Sequence, residues 1–309
     1  MGSLEDQIQQ LKQSRHAVIL AHNYQVGEVQ DVADFVGDSL ELTLKAKSTD
    51  AEVIVFCGVK FMAETAALLC PDKTVLMPDA GAGCPMANMV NAQQVRDFHA
   101  KYPGAAVVTY VNSNADVKAE SDICCTSANA VKIVNSLPEV STLASDIPQD
   151  EIIFLPDQHL GAWVQKQTTK TIHIWKGFCP THQLFVPERI LELKAQNPGS
   201  VFLAHPECSP AILALADAVA STSGMSAYAR DHAGPFIIGT EVGMLYRLQK
   251  ENPDKLFIPA SESAVCPNMK KTTLEKVLWS LQDMKTVVTV PAEIRERAHQ
   301  SIERMLAVR

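Results

Sequence analysis

The chain has 309 residues, 47% of them hydrophobic and 20% charged, and a formal net charge of −8. That is enough apolar material for a substantial core, in proportions ordinary for a soluble globular protein. The acidic balance and the lack of any Lys/Arg run speak against a nucleic-acid partner. No stretch approaches the roughly 20 apolar residues of a membrane span, and the polar start MGSLEDQIQQLKQ does not read as a signal peptide, so the expectation is a cytoplasmic protein.

The first predicted strand is 17-AVILAHN-23, a short apolar run ending in His22 and followed by Tyr24. Asp34 stands twelve residues beyond His22 and Ser39 five beyond Asp34, in DFVGDS, where a second strand gives way to a helix. A third strand, 52-EVIVFCG-58, a helix-like stretch, 61-FMAETAALL-69, and a fourth strand, TVLMP after Lys73, follow before Cys84.

The series then starts again. The strand 105-AAVVTYVN-112 ends in Tyr110, Val111 and Asn112, and Asp122 and Ser127 repeat the offsets of twelve and five. Next come 151-EIIFLPD-157, 160-LGAWVQKQ-167 and TIHIW after Lys170, closing on Cys179. A third round opens with 201-VFLAHPE-207, ending in His205, Pro206 and Glu207, and places Asp217 and Thr222 at the same two offsets. It continues through 235-PFIIGTE-241, 242-VGMLYRLQK-250 and LFIPA after Lys255 to Cys266.

Repeats at a fixed period mean repeated structural units, and alternating strands and helices mean a parallel sheet covered on both faces. The predicted fold class is therefore α/β, with three homologous αβα, Rossmann-like units around a pseudo-threefold axis. The predicted boundaries are 1–84, 85–179 and 180–266. The amphipathic segments 272-TTLEKVLWSLQDM-284 and 291-PAEIRERAHQSIERMLAV-308 are predicted helices, the tail 267–309 packing back on the first unit.

Ligands of parallel α/β sheets sit beyond the carboxyl ends of the strands. That places His22, Tyr24, Tyr110, Asn112, His205 and Glu207 at the candidate site. Ser39, Ser127 and Thr222 are predicted helix N-caps, where free backbone N–H groups and the helix dipole favour anions. Each taken alone is a plain cap; the repeat is what points to a substrate with several negative charges. Of eight cysteines, Cys57, Cys70, Cys124 and Cys125 fall in apolar strand or helix contexts and read as structural, and Cys208 lies close to the strand-end residues. Cys84, Cys179 and Cys266 each precede a proline at the end of a matched unit. They lack the paired CxxC spacing of a zinc ribbon. Three thiolates can hold three irons of a 4Fe–4S cluster and leave the fourth open as a Lewis acid.

The motifs AHNYQ (21–25), DFVGDS (34–39), CPMAN (84–88), YVNS (110–113), TSANA (126–130), CPTHQ (179–183), HPEC (205–208), STSGM (221–225), IGTEVGM (238–244) and CPNMKK (266–271) resemble those of the quinolinate synthetase A family, in the same order and over nearly the whole chain. The resemblance implies a transferase of de novo NAD biosynthesis that condenses iminoaspartate with dihydroxyacetone phosphate to quinolinate, phosphate and water. It implies three αβα domains about a central cavity and a 4Fe–4S cluster on Cys84, Cys179 and Cys266 with one open iron. It implies substrate contacts at His22, Ser39, Tyr110, Val111, Asn112, Ser127, His205, Pro206, Glu207 and Thr222. A functional link to an L-aspartate oxidase or dehydrogenase supplying iminoaspartate is expected. Candidates for proton transfer are Tyr24, Tyr110, Glu207 and His182, which acid and which base being open. A different non-redox iron–sulfur dehydratase, or a non-catalytic iron–sulfur carrier, is the competing reading.

Overall fold

The computed structural model describes residues 2–140 and 150–308. The first unit runs α1 (Leu4–Ser14), β1 (Ala17–His22), α2 (Gly27–Val32), β2 (Phe35–Gly37), α3 (Ser39–Ser48), β3 (Val53–Cys57), α4 (Lys60–Leu69) and β4 (Thr74–Leu76). The second runs α5 (Ala92–His99), β5 (Ala106–Tyr110), α6 (Ala115–Ala119), β6 (Ile123–Cys125), α7 (Ala130–Val140), β7 (Glu151–Leu155), α8 (Gln158–Gln165) and β8 (Thr171–Ile174). The third runs α9 (Pro187–Gln196), β9 (Val201–Ala204), α10 (Pro210–Leu213), β10 (Ala218–Val219), α11 (Thr222–Asp231), β11 (Phe236–Gly239), α12 (Met244–Glu251) and β12 (Phe257–Pro259). Two helices follow, α13 (Leu274–Asp283) and α14 (Ala292–Ala307).

The predicted α/β class with three αβα units is what the structure shows. Each unit holds one four-stranded, all-parallel sheet, in the orders β2-β1-β3-β4, β6-β5-β7-β8 and β10-β9-β11-β12. Every unit also opens with a helix, which the sequence reading left out. The central strands are buried from end to end: Val53–Cys57 and Phe236–Gly239 have no exposed residue. Two-sided burial explains why these strands read as continuous apolar runs and not as alternation.

The recurring aspartates turn out to be structural. Asp34, Asp122 and Asp217 each use Oδ2 to accept the N–H of the unit's first strand, at Ile19 (2.8 Å), Val107 (2.7 Å) and Phe202 (2.7 Å). Their own N–H groups donate to the carbonyls of the same residues at 2.9–3.0 Å. Each aspartate thus finishes the ladder just where the second strand begins, and one backbone joint, built three times, fixes one offset three times.

By its contacts the chain forms two compact bodies, 1–83 with 181–289 and 84–180 with 290–309. In the first body, α13 lies on α1 and β3, and its Leu274, Val277, Leu278 and Leu281 join the core with Ile8, Ile19, Val55 and Leu76. The last helix departs from expectation: α14 packs on α6 and β6 of the second unit. Arg304 donates to the Asp122 carbonyl (2.7 Å), Arg297 to the Ala119 carbonyl (3.2 Å) and the Glu120 carboxylate (3.0 Å), and Ser301 meets the Cys124 sulfur at 3.4 Å. Two arginines on one face of the helix satisfy carbonyls at the end of α6 and the start of β6, a specific match that amphipathicity alone does not reveal.

Candidate functional site

In each sheet the strand order reverses beside the first strand, so the crevice at its carboxyl end is the topological switch point, the usual place for a ligand. In the first body the ends of β1 and β9 bring His22, Tyr24, His205 and Glu207 together with His182. The last stands in a single 3₁₀ turn, His182–Leu184. The two strand ends are built alike: the N–H two residues on donates to the histidine Nδ1, Tyr24 to His22 (3.1 Å) and Glu207 to His205 (3.3 Å). A backbone donor on Nδ1 leaves the proton on Nε2. Burial pushes both imidazoles down from 6.5 to about 3, so both are neutral donors through Nε2–H at physiological pH. Pro206 sits in the tight turn closed by the Cys208 N–H and His205 carbonyl (2.9 Å), which brings Glu207 back toward the strand end.

A hydrogen-bonded chain crosses this crevice. Glu207 Oε2 lies 2.9 Å from His182 Nδ1, His182 Nε2 lies 2.9 Å from Thr240 Oγ1, and Thr240 Oγ1 lies 2.6 Å from the Tyr24 hydroxyl. The directions follow from donor inventory. A carboxylate only accepts, so His182 carries its proton on Nδ1. Its Nε2 then accepts from Thr240, and Thr240 accepts from Tyr24. The His205 ring stacks on His182, centroids 4.8 Å apart, and His22 stands edge-on to Tyr24 at 4.5 Å. His182, His205, Glu207 and Thr240 are each 3% exposed or less, so water does not compete between Glu207 and Thr240, while the Tyr24 end is part-buried.

The helix starts differ from expectation. Ser39 and Thr222 occupy the first helical position, and the caps are the residues before them: Asp38, in a capping box with Glu41, and Ser221, which accepts the Gly224 N–H. Ser127 lies in the turn 127–129 before α7, behind Thr126, whose N–H and hydroxyl bond the Asn129 side chain. Asp38 outcompetes Ser39 as a cap because its carboxylate accepts two backbone N–H groups at once, those of Leu40 and Glu41. Relieved of capping, the hydroxyls one residue on are available for another task.

In the second body, Tyr110 ends β5, Val111 donates its N–H to the Cys125 carbonyl (2.8 Å), and Asn112 and Ser127 follow at the places that Tyr24 and Ser39 hold in the first unit. Several residues of the first body carried no assigned role in the sequence. Thr240 links His182 to Tyr24 in the hydrogen-bonded chain. Glu241, fully buried, accepts the N–H groups of Cys266 (3.0 Å) and Gly243 (2.7 Å) and pairs with Lys270 (2.9 Å), which also donates to the Tyr24 carbonyl. Asn23 bonds Thr222 and is itself bonded by Arg247. The available signal was polarity after the third strand: Thr240-Glu241 here and buried Asp157 in the second unit.

Cys84, Cys179 and Cys266 are half-buried, whereas the other five cysteines are buried. Each is followed by proline and, three residues on, by a single 3₁₀ turn: Ala87–Met89, His182–Leu184 and Met269–Lys271. Burial raises the Cys266 thiol above its ordinary value, while the N–H groups of Met269 and Asn268 on its sulfur pull the other way. Half-buried cysteine thiols in loops are soft donors of the kind an iron–sulfur group takes, and Cys266 also carries the amide hydrogen bonds that such a group favours, so the donor chemistry fits it. Cys57, Cys124 and Cys125 are fully buried with thiols raised by burial, as structural cysteines are.

The α/β fold, with neutral imidazoles and a hydrogen-bonded chain at the carboxyl ends of parallel strands, is the architecture in which α/β enzymes hold small ligands. Residues 6–307 match the family model for quinolinate synthetase A protein. The chain belongs to the quinolinate synthetase A family. It is 59% identical over 306 residues to a protein of Dehalococcoides mccartyi named quinolinate synthase, covering 99% of this chain and 98% of that one. Proteins of the same name from Geotalea uraniireducens and Thermodesulfovibrio yellowstonii are 55% and 52% identical, over 99% and 98% of this chain and 97% of each relative.

Proposed function

We propose that this protein is a cytoplasmic transferase of NAD biosynthesis that condenses iminoaspartate with dihydroxyacetone phosphate, forming quinolinate and releasing phosphate and water. It takes iminoaspartate from an aspartate oxidase or dehydrogenase. The observation that carries the reading is the chain Glu207–His182–Thr240–Tyr24, set between two neutral histidines. Condensation with loss of water requires a proton to be removed from carbon or nitrogen and another delivered to a departing oxygen.

The chain's own residues supply that traffic. A proton leaving the Tyr24 hydroxyl passes through Thr240 to His182 Nε2, and Glu207 stabilises the resulting imidazolium through Nδ1–H. Tyr24 is then a base toward substrate, and the same path run backward makes it an acid. His22 and His205 donate Nε2–H to carboxylate or phosphate oxygens, and Ser39, Thr222, Ser127, Tyr110, Asn112 and the Val111 and Pro206 turns complete the substrate contacts. Cys84, Cys179 and Cys266 would hold a 4Fe–4S cluster, which when bound would supply Lewis-acid chemistry at an open iron. The two competing readings weigh less: a carrier has no use for a proton route, and a different dehydratase is disfavoured by the family match over residues 6–307.

The test is an anaerobic assay of cluster-loaded protein with both substrates. The expected outcome is quinolinate, and loss of the brown chromophore in Cys84→Ser, Cys179→Ser and Cys266→Ser but not in Cys57→Ser. Loaded protein that makes no quinolinate would refute the function, and a Cys84→Ser protein with full iron content would refute the ligand set.

A further inference from the structure

Thr222 stands at the first position of α11 and is almost wholly buried. Its hydroxyl is met by Asn23, whose Nδ2 lies 2.8 Å from Thr222 Oγ1. Asn23 itself is fully buried, immediately after His22. The amide's orientation is fixed: Arg247 approaches its Oδ1 at 2.8 Å, and a guanidinium can only donate, so Oδ1 faces Arg247 and the amide N–H faces Thr222. Arg247 is held in turn by Glu251 (2.6 Å) and Glu41 (3.4 Å). Glu41 belongs to the capping box of Asp38. Asp38 also accepts from the Ser223 hydroxyl, and Ser223 meets Ser221, the cap of α11. One polar network thus joins the start of the helix bearing Ser39 to the start of the helix bearing Thr222.

We infer that Asn23 and Arg247 are positioning residues that orient the Thr222 hydroxyl: with one lone pair of Oγ1 taken by the Asn23 amide N–H, the O–H is turned away from Asn23 and left to donate to the substrate. A hydroxyl oriented to donate favours an anionic oxygen, a carboxylate or phosphate, as its partner. Preorientation also removes the rotor entropy that a free hydroxyl loses on binding. The inference rests on the reading of Thr222 as a substrate contact, and its test separates the two.

Asn23→Asp is the diagnostic change. The introduced carboxylate is isosteric with the amide and pairs with Arg247, but it has no N–H, so Thr222 turns its hydroxyl inward to donate to it. Quinolinate is titrated calorimetrically into cluster-loaded protein under anaerobic conditions, with steady-state kinetics in parallel. Thr222→Val should weaken quinolinate binding about tenfold to hundredfold, the worth of a hydrogen bond to a charged group. Asn23→Asp should weaken it by a similar factor, chiefly through Kd and KM and little through kcat. In the Thr222→Val background Asn23→Asp should add less than about threefold, since the hydroxyl it reorients is gone. Arg247→Met, which frees the amide to flip, should show a smaller loss that Thr222→Val likewise masks. Additive losses would mean simple charge repulsion and would overturn the inference while leaving Thr222 a contact. Tight binding by Asn23→Asp beside weak binding by Thr222→Val would do the same. Unchanged binding by Thr222→Val would remove the substrate contact itself.

Discussion

Thr240→Val is the sharpest perturbation of the proposed chemistry. It keeps the shape of the side chain and deletes one oxygen, the one that lies 2.6 Å from the Tyr24 hydroxyl and 2.9 Å from His182 Nε2. One buried and one part-buried hydrogen bond disappear together, a stability cost of about 1–3 kcal/mol. A domain with about 5–15 kcal/mol of stability remains folded at 25 °C. The catalytic cost should be greater. Without the hydroxyl the proton cannot pass from Tyr24 to His182, and general acid–base catalysis is worth about 10²–10⁴ in rate, or about 3–5 kcal/mol of barrier. Quinolinate formation by cluster-loaded Thr240→Val should therefore fall at least a hundredfold in kcat with the chromophore retained and a modestly lower melting temperature. Thr240→Ser, which restores the oxygen, should recover most of the rate. Tyr24→Phe and Thr240→Val should not add in the double variant, because each breaks the same route. A Thr240→Val enzyme within threefold of the parent kcat, or fully additive losses with Tyr24→Phe, would refute the relay.

Two further outcomes follow from the same geometry. Ser39→Ala should raise KM with little loss of stability, since Asp38 and not Ser39 caps α3; a melting temperature lowered as by a lost cap, with KM unchanged, would reverse that assignment. Stability should also fall on acidification: His22 and His205 are held neutral with values near 3 against 6.5 when exposed, so between those values the unfolded chain binds protons that the folded chain refuses. The stabilisation is whole above pH 6.5 and shrinks as pH drops, by about 2 kcal/mol for each histidine at pH 5. Urea midpoints measured from pH 7 to 5 check this, and a His22→Gln protein with an undiminished pH slope would contradict it.

The fold was legible because one architecture is written three times. Offsets of twelve and five residues recur because Asp34, Asp122 and Asp217 each close the same joint between first and second strands, and the loop between them cannot change length without breaking it. The helices that open each unit were missed: α5 and α9 are short, mostly surface-facing segments with few buried positions. Helix α14 was found but sent to the wrong unit, because an amphipathic face says that a helix packs and not on what; the carbonyls awaiting Arg297 and Arg304 decide that.

The site was legible to the extent that chemistry follows the repeat, and that limit has a physical cause. His22 and His205, or Cys84, Cys179 and Cys266, stand out because equal positions in equal units hold related groups. Catalysis needs the opposite, a polar arrangement made once. At the place Thr240 holds after the third strand, the other two units have Gly58 and Pro156, and Asn23, Arg247 and Lys270 have no partners in kind elsewhere in the chain. Their roles come from contacts between residues far apart in sequence, such as Tyr24 with Thr240 and Asn23 with Arg247, 216 and 224 positions apart. In the proposed chemistry the repeated units supply places for anionic ligands several times over, and the departures from the repeat set where the proton moves. The residues worth mutating first are therefore those that break the repeat.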